Sequence, residues 1–215
     1  MHAPLPIRLL AALAVGSAVL LGAATGSAER KPLSSAQLRA AQLTRADVPA
    51  GYVRSKSADT TGSTGGCTSL EPFKTAETAR ADITFTRGPL GPLLDEGIVE
   101  YRPGVARSTM TATRRDLDRC ARFTQRNADG STTHGTITRE PFPELGNDTV
   151  AARIHLRASG NGLPLTATAD IVVVRTGDVI ALVGQTAVFS EPQAKGFEPV
   201  VRRAVAKVER ALAGR

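Results

Sequence analysis

Apolar and polar positions alternate along the last third of the chain, which is the pattern of β-strands with one face in the core. The alternation predicts strands at Thr149–Ala158, Leu165–Arg175 and Val179–Phe189. The connections Ser159–Gly162 and Thr176–Gly177 contain glycine and short polar residues, which favour hairpin turns. These segments therefore predict an antiparallel three-strand meander.

The first of these strands has two different faces. Alternate residues place an apolar set on one face, namely Val150, Ala152, Ile154 and Leu156. The other face is polar and cationic, with Arg153, His155 and Arg157. Because histidine changes its charge between about pH 5 and 8, this second face is a candidate anion-binding surface that responds to pH.

A helical period replaces the alternation upstream and predicts a long helix over Val105–Gln125. Its inward side carries Met110, Thr113, Leu117, Cys120 and Thr124. Its opposite side carries Arg115, Arg119, Arg122 and Arg126. At about 1.5 Å of rise per residue, these arginines make a row about 16 Å long, which is a candidate anion-binding site. The alternative is a solvated helix face whose charge Asp116 and Asp118 offset in part.

The remaining patterns predict an α+β domain. The predicted elements are a capped helix at Ser34–Thr44, a strand at Tyr52–Ser57, a glycine-rich loop at Ala58–Gly66, a short helix at Ser69–Ala79, and strands at Asp82–Arg87, Gly97–Arg102 and Thr132–Glu140. Ser190–Gln193 has the pattern of a capping box before an amphipathic C-terminal helix, and Gly196 and Pro199 allow a first turn that is separate from that helix or kinked. We therefore expect an antiparallel sheet, with the meander in its C-terminal part, packed by the long central helix and the C-terminal helix.

The N-terminus has the pattern of a secretory signal peptide. Arg8 precedes an apolar run at Leu9–Ala23, and the small residues Gly26 and Ala28 lie at positions −3 and −1 of a cleavage site. The run is shorter than the ~20 residues of a membrane-spanning helix, although an uncleaved anchor is the alternative. We expect a signal peptide at 1–28, cut near Ala28, and one secreted domain at 29–215 without a membrane span.

The two cysteines, Cys67 and Cys120, both lie in the part that we expect to be exported. Disulfides persist outside the cytoplasm, and two cysteines allow one intramolecular pairing. A Cys67–Cys120 disulfide would close a loop of ~54 residues and stabilise the fold by about 4 kcal/mol in the chain-entropy model. Two cysteines without a nearby histidine pair do not form a tetrahedral zinc site, so we expect no metal.

The composition is basic, with 27 lysine and arginine residues against 20 acidic residues and a formal net charge of +7. This balance fits an anionic partner, such as an envelope polymer or lipid headgroups. It also fits the codon bias of a genome rich in G and C. Apart from Phe123, no aromatic residue accompanies the arginine row, so stacking on nucleic-acid bases is not expected.

The sequence contains no recognisable catalytic motif: no His-Glu-x-x-His helix, no Gly-x-Ser-x-Gly elbow and no phosphate-binding glycine loop. The histidines that remain after cleavage are His134 and His155. A secreted hydrolase, with a triad assembled in space from one of them, a serine and a carboxylate, is the enzymatic alternative. No cofactor is expected, and a structural envelope protein is a third alternative.

Four stretches of the chain are similar to those of a known family. They are LTRADVPAGY (Leu43–Tyr52), LDRCARF (Leu117–Phe123), PELGNDTVAAR (Pro143–Arg153) and VVVRTGDVIALV (Val172–Val183). Together they resemble the extracellular sensor domains of actinobacterial serine/threonine protein kinases of the PknH type, and the secreted or lipid-anchored relatives that contain this domain alone. The resemblance implies an antiparallel sheet with flanking helices and a cleft for an unknown ligand. We therefore expect a secreted, non-catalytic ligand-binding or sensor-like module of the bacterial cell envelope.

Overall fold

The computed structural model describes residues 31–55, 76–88, 91–126, 130–159, 164–192 and 196–214. They belong to one compact unit, Lys31–Arg215. The helices in these ranges are α1 (Ser35–Ala41), α2 (Val105–Arg119) and α3 (Phe197–Ala213). The strands are β1 (Val53–Ser55), β2 (Glu77–Thr86), β3 (Leu93–Tyr101), β4 (Arg122–Arg126), β5 (Thr132–Arg139), β6 (Asp148–Ser159), β7 (Leu165–Thr176) and β8 (Val179–Val188).

The described strands form one antiparallel sheet in the order β1-β2-β3-β8-β7-β6-β5-β4. The predicted meander is confirmed, since β6, β7 and β8 are consecutive neighbours. β8 pairs with β3 on its other side, and β5 and β4 extend the sheet beyond β6. Helices packed on an antiparallel sheet make an α+β fold, as the sequence predicts.

One face of the sheet packs against α2, and we call it the α2 face. Met110 and Leu117 of the helix pack in one apolar cluster with Val150 and Ala152 of β6. Thr113 is also buried, so these members of the predicted inward side are confirmed. Burial of an apolar side chain of this size stabilises a fold by roughly 1.5–3 kcal/mol, which is why the helix stays on the sheet despite its many polar residues.

The opposite face packs against α1 and α3, and we call it the α3 face. Val201, Ala204 and Val205 of α3 pack with Val172 and Val183 in the centre of the sheet. Helix α1 packs beside α3 and against β2. The sheet is therefore the middle layer of three, with α2 on one side and the other two helices on the opposite side.

Burial on the α3 face ends midway along β6. Thr149 and Ala151 are buried, whereas His155 and Arg157, which project from the same face, are exposed. On β5, the residues of this face are exposed or half-buried. The α3 face thus has a covered half and an open half, and the open half is formed by β4, β5 and the adjoining ends of β6 and β7.

Helix α2 is shorter than the sequence predicts. It ends at Arg119, and Cys120 follows as the C-cap, with its backbone N–H donating to the Asp116 carbonyl at 2.8 Å. Residues Arg122–Arg126 form the edge strand β4 instead of a last helical turn. The prediction of a helix through Gln125 is therefore wrong beyond Arg119.

The local reason is a fit between β4 and β5. Phe123 of β4 is paired with Gly135 of β5, and its ring occupies the space where a side chain at Gly135 would stand. Exposed arginines at Arg122 and Arg126 alternate with partly buried residues, which suits an edge strand. A helix-period count placed these arginines in one row with Arg115 and Arg119, but the chain changes from helix to strand between the two pairs.

Two other helical predictions are corrected. Glu77–Ala79, predicted as the end of a helix at Ser69–Ala79, belongs to β2, where Ala79 is buried in the sheet. Helix α3 begins only at Phe197, after Gly196, whose φ of +106° favours glycine. The predicted capping box at Ser190–Gln193 therefore does not start this helix.

Several predicted features lie outside the described residues. They are the signal peptide 1–28, the glycine-rich loop Ala58–Gly66 and Cys67. Cys120, at the end of α2, is 6% exposed, but its pairing with Cys67 stays a prediction. Among the described residues, no helix is long and apolar enough to cross a membrane.

Candidate ligand-binding site

Strand pairing gathers the predicted cationic residues on the open half of the α3 face. His134 of β5 is paired with Arg157 of β6, and Thr136 of β5 is paired with His155. Arg122 of β4 is paired with Thr136. Directly paired residues project from the same face of an antiparallel sheet. Residues from two separately predicted candidate sets therefore share one surface.

The predicted four-arginine row is divided between the two sides of the sheet. Arg122 and Arg126 lie on β4 and belong to the open half. Arg115 and Arg119 lie exposed on α2, which packs on the α2 face. The single anion-binding row is thus replaced by two arginine pairs, of which one adjoins the second predicted surface.

The open half contains a groove of about 550 Å³, which is within the usual range of small-molecule sites. Apolar and polar atoms line this groove, and we call its polar lining residues on the strands the floor: His134, Thr136, His155, Arg157, Thr166 and Thr168. Its rim is formed by Phe189, Ser190 and Glu191, which follow β8. This is where the structure places two of the three residues of the predicted Arg153/His155/Arg157 face.

A chain of hydrogen bonds orients His155. Its Nδ1 lies 3.1 Å from Thr168 Oγ1, and the Thr168 hydroxyl donates to Glu191 Oε1 at 3.4 Å. Because the hydroxyl proton points to Glu191, the hydroxyl oxygen accepts from Nδ1–H of His155. This direction leaves Nε2 of His155 to face a ligand, as an acceptor when the ring is neutral and as a donor when it is protonated.

His134 is held in a similar way. Its Nδ1 lies 3.1 Å from Oγ1 of Thr124, its direct partner on β4. The ring is exposed and lines the groove. Both histidines therefore use Nδ1 for a threonine on a neighbouring strand, and both keep Nε2 away from the groups that orient them.

Arg153 has a structural role instead of the predicted one. Its guanidinium donates to both oxygens of Asp170, at 2.7 and 3.1 Å, and this hydrogen bonding raises the pKa of Arg153. Asp170, 9% exposed, also accepts from Gln185 Nε2 at 3.0 Å. This closed network marks the boundary between the covered and open halves, so Arg153 is not available to a ligand.

Arg157 is in the opposite situation. Among the described residues, its guanidinium has no hydrogen-bond or ion-pair partner, and the same is true of Arg122 and Arg126. The charges of these arginines are therefore not neutralised by neighbouring carboxylates in the described part of the chain. An exposed guanidinium beside two oriented imidazoles is an arrangement suited to binding an anion.

Phe189 on the rim is unusual in two respects. Its side chain is 59% exposed, and its backbone φ of +58° is one that phenylalanine rarely adopts. Its N–H donates to the Thr166 carbonyl at 2.9 Å, which fixes the turn over the groove. Sequence reasoning missed Phe189 and Glu191, because it assigned Phe189 to a strand and Glu191 to a helix cap.

The geometry does not favour the hydrolase alternative. In a catalytic triad the nucleophile binds one imidazole nitrogen and a carboxylate orients the other. Here, within the described residues, the hydrogen-bonding side chains at His134 and His155 are Thr124 and Thr168, and Glu191 binds the threonine hydroxyl rather than the ring. The acid and the hydroxyl thus lie in the wrong order for a triad at His155.

The LTRADVPAGY stretch packs in the core of the covered half and holds α3 in place. Asp47 accepts from Lys207 Nζ at 2.8 Å, and its backbone carbonyl accepts from Arg203 at 2.8 Å. Burial alone would raise the pKa of Asp47, but hydrogen bonds from Lys207 and Thr44 outweigh it and lower the pKa to about 2. The stretch is therefore a structural clamp between the segment after α1 and helix α3.

Glu96 is a buried carboxyl next to this clamp. It is 1% exposed, and its Oε2 accepts from the Leu43 N–H at 2.6 Å, whereas Oε1 has no hydrogen-bond partner within the part of the chain that the structure describes. Burial raises the pKa of Glu96 to about 7, against the opposing effect of the Leu43 hydrogen bond and the Lys207 charge. The group is thus protonated over most of the acidic range.

The PELGNDTVAAR stretch also has a structural role. Gly146 has a φ of +58°, and a Cβ there would lie 2.6 Å from the Arg175 carbonyl oxygen. Asp148 forms an ion pair with Arg114 of α2, and the hydrogen bond from Arg114 lowers the pKa of Asp148. The turn therefore fixes both the start of β6 and the position of α2 on the sheet.

Comparison with known proteins supports the fold. No protein-family model matches the sequence, and no curated protein matches it. The structure is similar to the crystal structure of the extracellular domain of PknH from Mycobacterium tuberculosis, with a TM-score of 0.59 and 15% sequence identity over 86% of this chain and 100% of that chain. The fold that the sequence motifs implied is thereby confirmed, while identity at this level establishes similarity of fold alone.

Proposed function

We propose that this chain is a secreted, non-catalytic, sensor-like module of the cell envelope that binds its ligand in the groove of the open half. The observation that supports this most directly is the interruption of burial along β6. Helix α3 covers the apolar part of the sheet and leaves exposed the part that carries His134, His155 and Arg157. Exposed, oriented polar groups in a concave surface are typical of a binding site.

Two further observations support export and a sensor-like role. The N-terminal pattern is that of a signal peptide. The similar structure is an extracellular domain. A Cys67–Cys120 disulfide would suit the same compartment.

A pair of tryptophan substitutions on β5 tests the site. Thr136 and Thr138 are both exposed and project from the same face of β5, but only Thr136 lines the groove. T136W fills the groove, whereas T138W adds the same side chain outside it. Each protein is recovered from the medium of its own host and weighed by native mass spectrometry, and its amide NMR spectrum is recorded with and without envelope extract.

We expect wild type and T138W to retain a bound mass, or to show shifted amide signals with extract, and T136W to show neither. A T136W protein that binds as wild type does would contradict the groove as the site. A wild-type protein that carries no mass and whose amide spectrum does not respond to the extract would contradict a ligand-binding function.

A further inference from the structure

We propose that the groove binds an oxyanion monoester, that is, a phosphate or sulfate group attached to an apolar moiety. His134, His155 and Arg157 bind the oxyanion, and Phe189 packs against the apolar part. This inference rests on the proposed function, because it names the chemical class of ligand for the same groove.

Arg157 is at the centre of the cationic cluster. It is the direct partner of His134 across the β5–β6 pair and lies two residues from His155 on the same face of β6. His134 and His155 are thus diagonal neighbours, about 7–8 Å apart at their Cα atoms in such a pair. Because the planar guanidinium presents its donors as a fork that matches phosphate and sulfate oxygens, Arg157 is placed to bind two oxygens of one group.

The hydrogen bonds around the cluster occupy Nδ1 of both histidines and leave Nε2 for a ligand. Thr124 and Thr168 bind the Nδ1 atoms of His134 and His155 at 3.1 Å each. A protonated ring then presents Nε2–H to a ligand. Thr166, the direct partner of Arg157 on β7, adds a hydroxyl to the floor. The site therefore offers imidazole, guanidinium and hydroxyl donors to one anion.

The surrounding charges favour an anion over a cation. The charged groups around the two histidines are Arg122 and Arg126 on β4, Arg153 and Arg157 on β6, Asp170 on β7, and Glu140 and Glu191 in adjoining segments. Asp170 is bound by Arg153, and Glu191 accepts from Thr168. Arg153 thus neutralises Asp170, whereas Glu191 keeps its charge because its partner is a neutral hydroxyl. Arg157 has no ion pair in the described part of the chain, and the named groups still include four arginines against three carboxylates.

Phe189 provides the apolar surface. A left-handed backbone at a non-glycine residue is strained and persists where the surrounding structure imposes it. Here the turn holds an exposed phenyl ring in the same groove as the polar floor residues. A ligand with an apolar group next to its oxyanion would cover this ring while its anion contacts Arg157.

Calorimetric titration of the full secreted chain with three probes tests the assignment. Phenyl sulfate combines an oxyanion with a ring, inorganic sulfate supplies the anion alone, and phenol supplies the ring alone. We expect phenyl sulfate to bind at least about tenfold more tightly than either fragment, because it combines hydrogen bonds to a charged group with the contact to the ring. Equal affinity for phenol and phenyl sulfate would overturn the proposal.

Charge-matched variants identify the residues involved. R157Q is expected to weaken phenyl sulfate binding about tenfold or more. R119Q removes the same charge from the exposed side of α2, and is expected to change the affinity less than about twofold, because Arg119 does not line the groove and exposed charges are screened by salt. An equal effect of both variants would mean that only the overall charge attracts the probe.

Phe189→Gly separates the ring from the backbone strain. Glycine adopts the φ of +58° freely, so the variant is expected to fold at least as stably as wild type. It should lose phenyl sulfate affinity down to the level of inorganic sulfate and leave inorganic sulfate binding unchanged. Phenyl sulfate binding that persists at the wild-type level would remove Phe189 from the site.

A double variant tests the histidines. H134Q/H155Q is expected to weaken phenyl sulfate binding about fivefold or more, because it removes both imidazoles from the anion site. An unchanged affinity would exclude the histidines from the site.

The oxyanion could belong to a soluble ester or to a lipid headgroup, and two arms distinguish these sources. Phenyl phosphate tests the soluble ester, and cosedimentation with vesicles that contain phosphatidic acid, whose headgroup is a phosphate monoester, tests the lipid. Binding in either arm that R157Q weakens and R119Q does not supports the proposal. Vesicle binding that R119Q removes and R157Q leaves intact would assign the membrane contact to α2 and overturn it.

Failure of this inference is distinguishable from failure of the proposed function. If T136W loses the ligand from the host but wild type binds none of the anionic probes, the groove is a binding site for another chemistry. Only the oxyanion assignment is then overturned. If T136W keeps the host ligand, the groove is not the site and both proposals are overturned.

Discussion

His134 of β5 and Arg157 of β6 are direct partners in the sheet, so an imidazole stands beside a guanidinium that has no ion pair among the described residues, on the open half of the α3 face. Their proximity results from topology, because β5 and β4 extend the sheet beyond the region that α3 covers. The fold thus separates an apolar half that provides stability from a polar half that is free to bind.

The turn before β6 is expected to require glycine. Gly146→Ala should destabilise the chain by about 2 kcal/mol or more, because a left-handed backbone with a Cβ costs 1–2 kcal/mol and the new methyl would meet the Arg175 carbonyl at 2.6 Å. Gly184→Ala is the control, since its Cβ would make an ordinary 3.6 Å contact with Ile171. Urea denaturation measures both, and equal midpoints would contradict the role of this turn.

The ion pair between Asp47 and Lys207 is expected to contribute more to the free energy of unfolding than an exposed ion pair does. Asp47→Ala should cost about 2–4 kcal/mol, because it leaves a largely buried ammonium without its partner. Glu198→Ala breaks the exposed pair with Arg202 on the same helix, and should cost less than about 1 kcal/mol. If the two variants unfold at the same urea concentration, the clamp does not anchor α3.

The buried carboxyl of Glu96 is expected to make stability depend on pH. Its pKa is about 7 in the folded chain against an ordinary value of 4.5, so the folded state binds the proton more tightly. Its stabilising contribution is therefore full below about pH 4.5 and is lost as the pH rises through about 7. Between pH 5 and 8 this amounts to roughly 2–3 kcal/mol.

Glu96→Gln tests this dependence by replacing the carboxyl with a group that stays neutral. As the pH rises from 5 to 8, the free energy of unfolding of wild type should fall by about 2–3 kcal/mol relative to that of the variant. Glu209→Gln on α3, an exposed carboxyl, should leave the wild-type slope in place. Asp47 does not interfere, because its lowered pKa of about 2 confines its effect to strongly acidic solution. Parallel profiles for wild type and Glu96→Gln would refute the assignment.

The predicted Cys67–Cys120 disulfide has its own test. The mature chain recovered from the medium should contain no reactive thiol when denatured, and a reductant should lower its stability by about 4 kcal/mol in the chain-entropy model. The double variant C67A/C120A should not respond to reductant. Two free thiols in the secreted chain would show that the pairing does not exist.

The sequence predicted the parts of the fold that repeat a regular period. The meander β6–β7–β8 and the buried side of α2 were predicted because their apolar residues recur every two or every three to four positions over many residues. Strand β4 was not predicted, because five residues of mixed polarity continue a helical pattern equally well. Only the pairing of Phe123 with Gly135 decides between the two.

The site was predicted in part for a similar reason. Alternation along β6 correctly placed His155 and Arg157 on one face. It does not show which residues of the adjacent strands contact the side chains on that face. Arg153 looked equivalent to Arg157, and its ion pair with Asp170 depends on the register of β7. The position of Phe189 depends on a turn in which this residue has a positive φ. Phenylalanine rarely adopts such a backbone, so its presence in the sequence does not predict the turn.

The most direct measurement is a comparison of amide NMR spectra of the secreted protein before and after its host ligand is removed. Binding in the groove predicts that shifted signals cluster on β5, β6 and β7 around His134, His155 and Thr168, and in the turn at Phe189, while the outer side of α2 at Arg115 and Arg119 stays unchanged. Shifts confined to α2, with the strands of the open half unaffected, would contradict it.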